Sequence, residues 1–501
     1  MDPTKSLTGE FTPFFLLTLL SLILVLIFKR SFSKGPPVPP GPYAWPIVGN
    51  IFEMGKLVHV TLANLAQVHG PLMSLRFGSR LVVVGSSPAV AAEILKSHDR
   101  SLSGRTLPLP IRFKGSKLHN LGLGFFDECG DGWRSIRTVY RGEVFSTKAL
   151  DSQAEVREKK VNEMVAYLES KEGEVVKIKE VVFVTALNIL SNTFLSVNFL
   201  DYEGKGVAEG MRGYIRRFAV RGSTDCLSDI FPILGDWCFR GTCSKFMDMV
   251  ETMFGAWVGI LKERRESTAH ISSKRDLLDF FMGNGFTNEQ INPLLLELFS
   301  AGTDSTSATT EWALVELIRN RIAMQKLHDE LAEAVGGGTV KETKLPNLPY
   351  LEACIKETLR LHPPGPLLIP HRAVQTCEMM GYTIPKDSEV LVNMWAIGRD
   401  PKIWDEPMRF KPERFLNSMV DFKGHDFEFI PFGSGRRMCP GQPLASRVVP
   451  LLVASLIQRF DWSLPNDMDP SQIDMSEMYD ITMQKKETLS VIPKRRIRDV
   501  K

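Results

Sequence analysis

The sequence predicts one large, mainly α-helical domain with small β-sheets, preceded by a single N-terminal transmembrane helix. Residues from about 131 to 335 carry a largely helical pattern, with amphipathic stretches at 156–168 and 246–265. Strand-type runs are short and few, and no Gly/Ser-rich or Pro-rich linker after residue 50 divides the 501 residues. At the start stands an apolar run from Phe11 to Phe28, interrupted only by Thr12, Pro13, Thr18 and Ser21.

As a helix that run would span roughly 27 Å, close to the thickness of a bilayer's hydrocarbon core. Lys29, Arg30 and Lys34 follow it and only Lys5 precedes it, which places the body of the chain in the cytosol. A cleaved signal peptide would carry its positive charge before the apolar core and a small-residue cleavage site after it. The order here favours an anchor over residues 1–34. Residues 35–42, GPPVPPGP, hold five prolines and read as a stiff connector. Residues 43–501 then form the main domain. Within it, Leu72 to Arg76 and Arg80 to Val84 flank Phe77, Gly78 and Ser79 as a hairpin, and Ser87 with Pro88 opens a helix.

Lys and Arg number 61 against 58 Asp and Glu, a net charge of +3 that predicts no nucleic-acid footprint. The seven cysteines, at 129, 226, 238, 243, 354, 377 and 439, are odd in number and form no Cys-x-x-Cys pair. That usage fits a reducing compartment.

Between Asn292 and Asn320 a helix is expected, with Asn292 as cap and Pro293 in the first turn; a capping box of Thr287 and Gln290 would start it one turn earlier. Its apolar opening turns predict burial on more than one side. In its middle lies AGTDSTSATT, residues 301–310, with a glycine and six Ser or Thr side chains. This is a poor helix interior by propensity. Either the hydroxyls bond back to carbonyls one turn earlier in a kinked core helix, or function selects them.

Near the C-terminus, Phe432-Gly-Ser-Gly435-Arg-Arg437-Met-Cys439-Pro-Gly441 is a loop of small residues ending in a cysteine just before an apolar helical run. Such a loop can hold a thiolate, because Gly435 and Gly441 permit tight turns and close backbone approach while Phe432 shields the sulfur from water. The other six cysteines read as small buried hydrophobes.

This loop resembles the Phe-x-x-Gly-x-Arg-x-Cys-x-Gly signature of the cytochrome P-450 family at every specified position. Glu357 and Arg360 in YLEACIKETLRLHP resemble the family's Glu-x-x-Arg motif, and Arg414 in Pro412-Glu-Arg-Phe415 would complete an ion-paired triad. The resemblance covers about residues 36–494. It implies the P-450 fold, a helical triangular prism with small β-sheets, and a haem b whose iron is held by Cys439. Trp133, Arg137, Arg372 and Arg437 would bind its propionates, as the planar arginine fork suits carboxylates.

By the same resemblance, Ala301-Gly302-Thr303-Asp304 is similar to the oxygen-activation motif, where a loosened helical turn admits dioxygen and water. Asp304 and the next hydroxyl would relay protons. The usual threonine there is Ser305, which keeps the hydroxyl but loses the methyl that fixes its rotamer.

The implied activity is a monooxygenase fed by NADPH through a flavoprotein reductase, NADPH-cytochrome P-450 reductase. Its implied location is the endoplasmic reticulum membrane, with the catalytic domain cytosolic. IPHRAVQTCEMMGYTIPKDSEVLVNMWAIGRDP and FDWSLP resemble the plant A-type branch, most of all its alkaloid oxidisers, with monoterpenoid hydroxylases as a sister group. A reductase-independent isomerase or dehydratase is the rival within the fold, and Asp304 argues against it. A non-catalytic binding protein is the rival outside it, and intact Cys439, Asp304 and Arg437 argue against that. Substrate contacts are expected from 105–125, 211–220, 367–369 and 479–482.

Overall fold

The computed structural model describes residues 36–113, 116–118, 120–223, 227–231, 239–266, 276–479 and 482–496, together with Thr18 and Ser21. The membrane helix expected over 11–28 lies outside the described residues. Among the described residues helices dominate, and the strands form four small sheets.

The hairpin forms as β1 (Leu72–Phe77) and β2 (Arg80–Gly85), in an antiparallel register that pairs Phe77 with Arg80. The turn is therefore the two residues Gly78 and Ser79, one fewer than expected, because the aromatic Phe77 continues the strand. Gly78 takes φ +57, and a Cβ there would fall 2.5 Å from the Ile230 carbonyl oxygen. Gly104–Arg105 (β3), His371–Arg372 (β4) and Glu389–Val392 (β5) complete this sheet in the order β1-β2-β5-β4-β3, with β2 and β5 parallel. Ser87 caps the following helix by accepting from the Val90 N–H, with Pro88 in the first turn.

The proline connector is stapled to this part of the molecule. Ser74 donates from its backbone N–H to Pro40 O at 2.8 Å and from its hydroxyl to Pro39 O at 2.6 Å. Thr383 does the same for Pro37 and Pro36. Proline carbonyls freed from any helix accept these donors, so the segment is held in place by its own stiffness and by the sheet.

The core is built around the long helix Asn288–Arg319, which packs against the helices Ile178–Leu195 and Gln442–Arg459. Ile178–Leu195 is apolar on all sides, and among the described residues it is the one helix long and apolar enough to cross a membrane. Here its apolar faces are buried in the domain interior. The long helix starts at the earlier of its two expected points: Thr287 is the N-cap, its N–H donating to Gln290 Oε1 at 3.0 Å, and Pro293 lies inside the helix. Ser490–Arg495 pairs as a strand between Val176–Lys177 and Phe460–Ser463.

Candidate active site

The loop 432–441 is shaped by its glycines and closed by its backbone. Gly435 sits at φ +68, and a Cβ there would lie 2.1 Å from the Leu95 carbonyl oxygen, so no larger residue fits. The Cys439 N–H donates to Phe432 O at 2.9 Å, which closes the loop, and both residues line the same cavity. Gly441 is different. Its φ of −82 is ordinary and a Cβ would meet nothing nearer than 3.9 Å, Sγ of Cys439 included, so no turn requires a glycine. Its part is to cap the helix Gln442–Arg459, whose first N–H groups face the sulfur.

Cys439 is deep in the protein yet its thiol opens onto an internal cavity of about 1300 Å³. Burial pushes the thiol above its usual range, while the N–H groups of Gly441 and Gln442 and the charge of Arg137 oppose that push. A cation at this point would complete the compensation that the backbone begins, since a metal-bound thiol is deprotonated outright.

Around the same cavity stand Arg105, Arg137 and Arg437, none of them ion-paired among the described residues. Burial lowers all three, Arg105 to about 9. Arg437 donates to the carbonyls of Ser103, Leu123 and Phe126, and its guanidinium lies 5.4 Å from the Trp133 ring centroid. Trp133 is buried and its indole N–H has no partner within the described structure. His371 donates from Nδ1 to Leu102 O at 2.7 Å, and burial, with Arg105 adding to it, brings it down to about 3, so it is neutral.

Uncompensated arginines and an orphaned indole N–H beside a recessed thiol form a site that fits a dianionic, iron-bearing macrocycle. Arg372 is not part of it. Its guanidinium is on Asp387 at 2.7 Å and Glu128 at 3.3 Å, and it does not line the cavity. Alternation along a strand is the reason: on β4, His371 faces the cavity and Arg372 faces away.

Glu357 receives Arg360 as a bidentate pair at 2.7 and 2.8 Å and Arg414 at 3.0 Å, all away from the cavity. Arg360 spends its remaining donors on the carbonyls of Gly398 and Pro407, tying the helix Pro349–Leu361 to the segment before the cysteine loop.

Over the cavity runs the face of the long helix bearing Ala301, Gly302, Ser305, Thr306 and Thr309. The helix is continuous here. Ser305 donates to Ala301 O at 2.7 Å, Thr306 to Gly302 O at 2.8 Å and Thr309 to Ser305 O at 2.8 Å, so the hydroxyls bond back one turn and no loosened turn is present. Gly302 is explained by packing: a Cβ would lie 2.8 Å from a Leu190 methyl. Asp304 does not line the cavity, and its charge acts instead on Lys179.

A family model described as cytochrome P450 matches residues 39–491. The chain belongs to the cytochrome P450 family. It is 46% identical over 480 residues to "(S)-N-methylcoclaurine 3'-hydroxylase isozyme 1" of Papaver somniferum, covering 95% of this chain and 98% of the relative. It is 43% identical over 479 residues to "Corytuberine synthase" of Coptis japonica (95% and 97% covered). With "Berbamunine synthase" of Berberis stolonifera it shares 38% identity over 487 residues (96% and 98% covered). The protein is a haem-thiolate monooxygenase, and P450 enzymes of this kind use haem iron with electrons from NADPH passed by a reductase.

Each expected substrate segment contributes to the P450 cavity, among them Leu107, Phe218, Leu368, Tyr479 and Thr482. Of the titratable lining residues, His371 and Glu297 were not singled out in the sequence, and Arg105 was expected only within the substrate segment 105–125. The i, i+4 series Glu297, Ala301, Ser305 was the available signal for the glutamate, since it puts the carboxylate on the face that bears the serine.

Proposed function

We propose that this P450 hydroxylates, or couples through its phenol, a small plant alkaloid of the benzylisoquinoline type. The observation that carries the reading is the recessed thiol of Cys439 beneath a large, mostly apolar cavity roofed by Ser305. The alkaloid-oxidising names of the relatives support the substrate class. When bound, the haem supplies oxygen activation. Cys439 would hold its iron through the sulfur, helped by the N–H groups of Gly441 and Gln442, while Phe432 keeps water from that side. Trp133, Arg105, Arg137 and Arg437 would hold the propionates, with neutral His371 beside them.

Above, the hydroxyl of Ser305 would exchange its bond to the Ala301 carbonyl for one to a proton acceptor in the cavity. Asp304 would return the proton from the far side of the helix, and Gly302 would keep the cavity face open. Apolar wall residues orient the substrate and exclude bulk water. The segment 11–28 would hold the enzyme at the endoplasmic reticulum membrane, with the domain after residue 42 in the cytosol where NADPH-cytochrome P-450 reductase can reach it.

The test is oxygen uptake and product formation with a reductase, NADPH and a panel of benzylisoquinolines, phenolics and monoterpenoids. Alkaloid-dependent turnover is expected. Turnover confined to the monoterpenoids would overturn the substrate class. Cys439→Ala should abolish both turnover and the thiolate-type Soret band of the reduced carbon monoxide complex, and a retained band would remove Cys439 from the iron.

A further inference from the structure

Six carboxylates line the cavity, and five of them are ion-paired within the protein: Asp151 with Arg447, Glu342 with Arg157, Glu352 with Lys356, Glu389 with Arg80 and Asp421 with Lys423. Glu297 is the exception. Among the described residues it has no cationic side chain within ion-pair distance and is held by neutral donors alone: the Leu123 N–H at 2.7 Å, the Gly124 N–H at 2.5 Å and the Tyr140 hydroxyl at 3.3 Å. Arg437 is near enough for its charge to favour the ionised carboxylate, but its donors are committed to the carbonyls of Ser103, Leu123 and Phe126 and none reaches Glu297.

Three neutral hydrogen bonds leave room for a fourth donor on a carboxylate, and no cation is in direct contact with it. For a buried carboxylate that is a costly state, relieved either by a proton or by a cation brought in from outside. Burial indeed pushes Glu297 up to about 7, against the pull of its backbone donors. Other titratable groups around it are Tyr140 and Arg137 from the segment 131–144, with Arg437 and Cys439 from the cysteine loop.

We propose that Glu297 determines specificity by binding the protonated amine of the substrate, on the helix face that also carries Ser305. The proposal rests on the alkaloid reading above and sharpens it, since it names the ammonium nitrogen as the recognised group. Glu297 and Ser305 are two helical turns apart, about 12 Å along the axis. An amine held at Glu297 therefore extends the far end of its molecule toward the Ser305 region, where oxidation takes place.

The test uses the haem-loaded full-length protein and equilibrium dialysis, with two probe pairs that differ in charge: an arylalkyl trimethylammonium ion against its neutral tert-butyl isostere, and a benzylisoquinoline tertiary amine against its N-acyl amide. The parent should bind each cation about tenfold or more tighter than its neutral partner. Glu297→Gln should erase that preference while leaving the neutral probes nearly unchanged, and Glu297→Asp should keep it. Binding of the permanent cation should tighten as pH rises from about 6 to about 8, because the carboxylate ionises across that range.

Should the glutamine variant fail to load haem, the pH series on the parent decides: tightening supports the site and a flat series overturns it. An equal loss for charged and neutral probes would make Glu297 only a clamp on the Leu123–Gly124 turn and overturn the proposal. A parent that takes the trimethylammonium ion in preference but no benzylisoquinoline would keep the cation site and sink the alkaloid reading instead.

Discussion

Glu357 and Glu297 are both glutamates on helices that pack in the core, yet the molecule treats them in opposite ways. Glu357 is fully buried and its two oxygens receive four N–H groups, two from Arg360, one from Arg414 and one from the backbone of Lys411, so two guanidinium charges stand on one carboxylate. Glu297 receives neutral donors and faces a cavity. A charge compensated from within marks architecture, whereas a charge left for something else to compensate marks a site.

The largest expected effect comes from breaking the compensated side. Glu357→Ala strands Arg360 in the interior, and removing one partner of a buried pair costs about 3–5 kcal/mol, a large part of a domain's whole stability. Denaturant unfolding should show that loss together with failure to retain haem. A variant within about 1 kcal/mol of the parent would mean that the carbonyls of Gly398 and Pro407 satisfy Arg360 unaided, and the contrast between the two glutamates would fail.

Next in size is a change of reaction outcome at unchanged stability. Ser305→Ala removes a hydroxyl that bonds only to a carbonyl of its own helix, so stability should move by no more than about 0.5 kcal/mol. Product formed per NADPH should fall severalfold, with more oxygen leaving as peroxide, and Ser305→Thr should hold or raise the parent's yield through its stiffer rotamer. Unchanged yield in the alanine variant would take the serine out of the proton path.

How much of this was legible follows the same division. The cysteine loop and the triad could be read because their residues are close in sequence or fixed in order, and their chemistry is local: Gly435 must be glycine where it meets Leu95 O, whatever surrounds it. For Glu297 the sequence offered only its place on the helix face of Ser305, and nothing showed how its charge is treated. Its two nearest partners are backbone N–H groups more than 170 positions away, and no residue type advertises a backbone donor. The hydroxyl-rich stretch 301–310 was legible in composition, but its continuous helix with back-bonded hydroxyls followed the plainer of the two expectations. Two-residue β4 is too short for alternation to show which of His371 and Arg372 faces inward, and Arg372 was expected at the propionates through the resemblance at Pro370-His-Arg372.

That assignment yields the smallest expected effect and the sharpest contrast. Arg372 sits on two carboxylates that are themselves largely open to solvent, Asp387 and Glu128, and exposed pairs of this kind contribute about 0–1 kcal/mol. Arg372→Ala should therefore leave haem retention nearly unchanged when measured as the rate of haem loss to an apo-globin acceptor. Arg105→Ala, on the adjoining strand β3, removes a guanidinium that faces the cavity without an ion-pair partner, and should speed that loss markedly. If the two variants lose haem at the same rate, the strand alternation does not decide which arginine serves the propionates. If Arg372→Ala alone is fast, Arg372 and not Arg105 serves the propionates, and the reading of strand alternation is wrong.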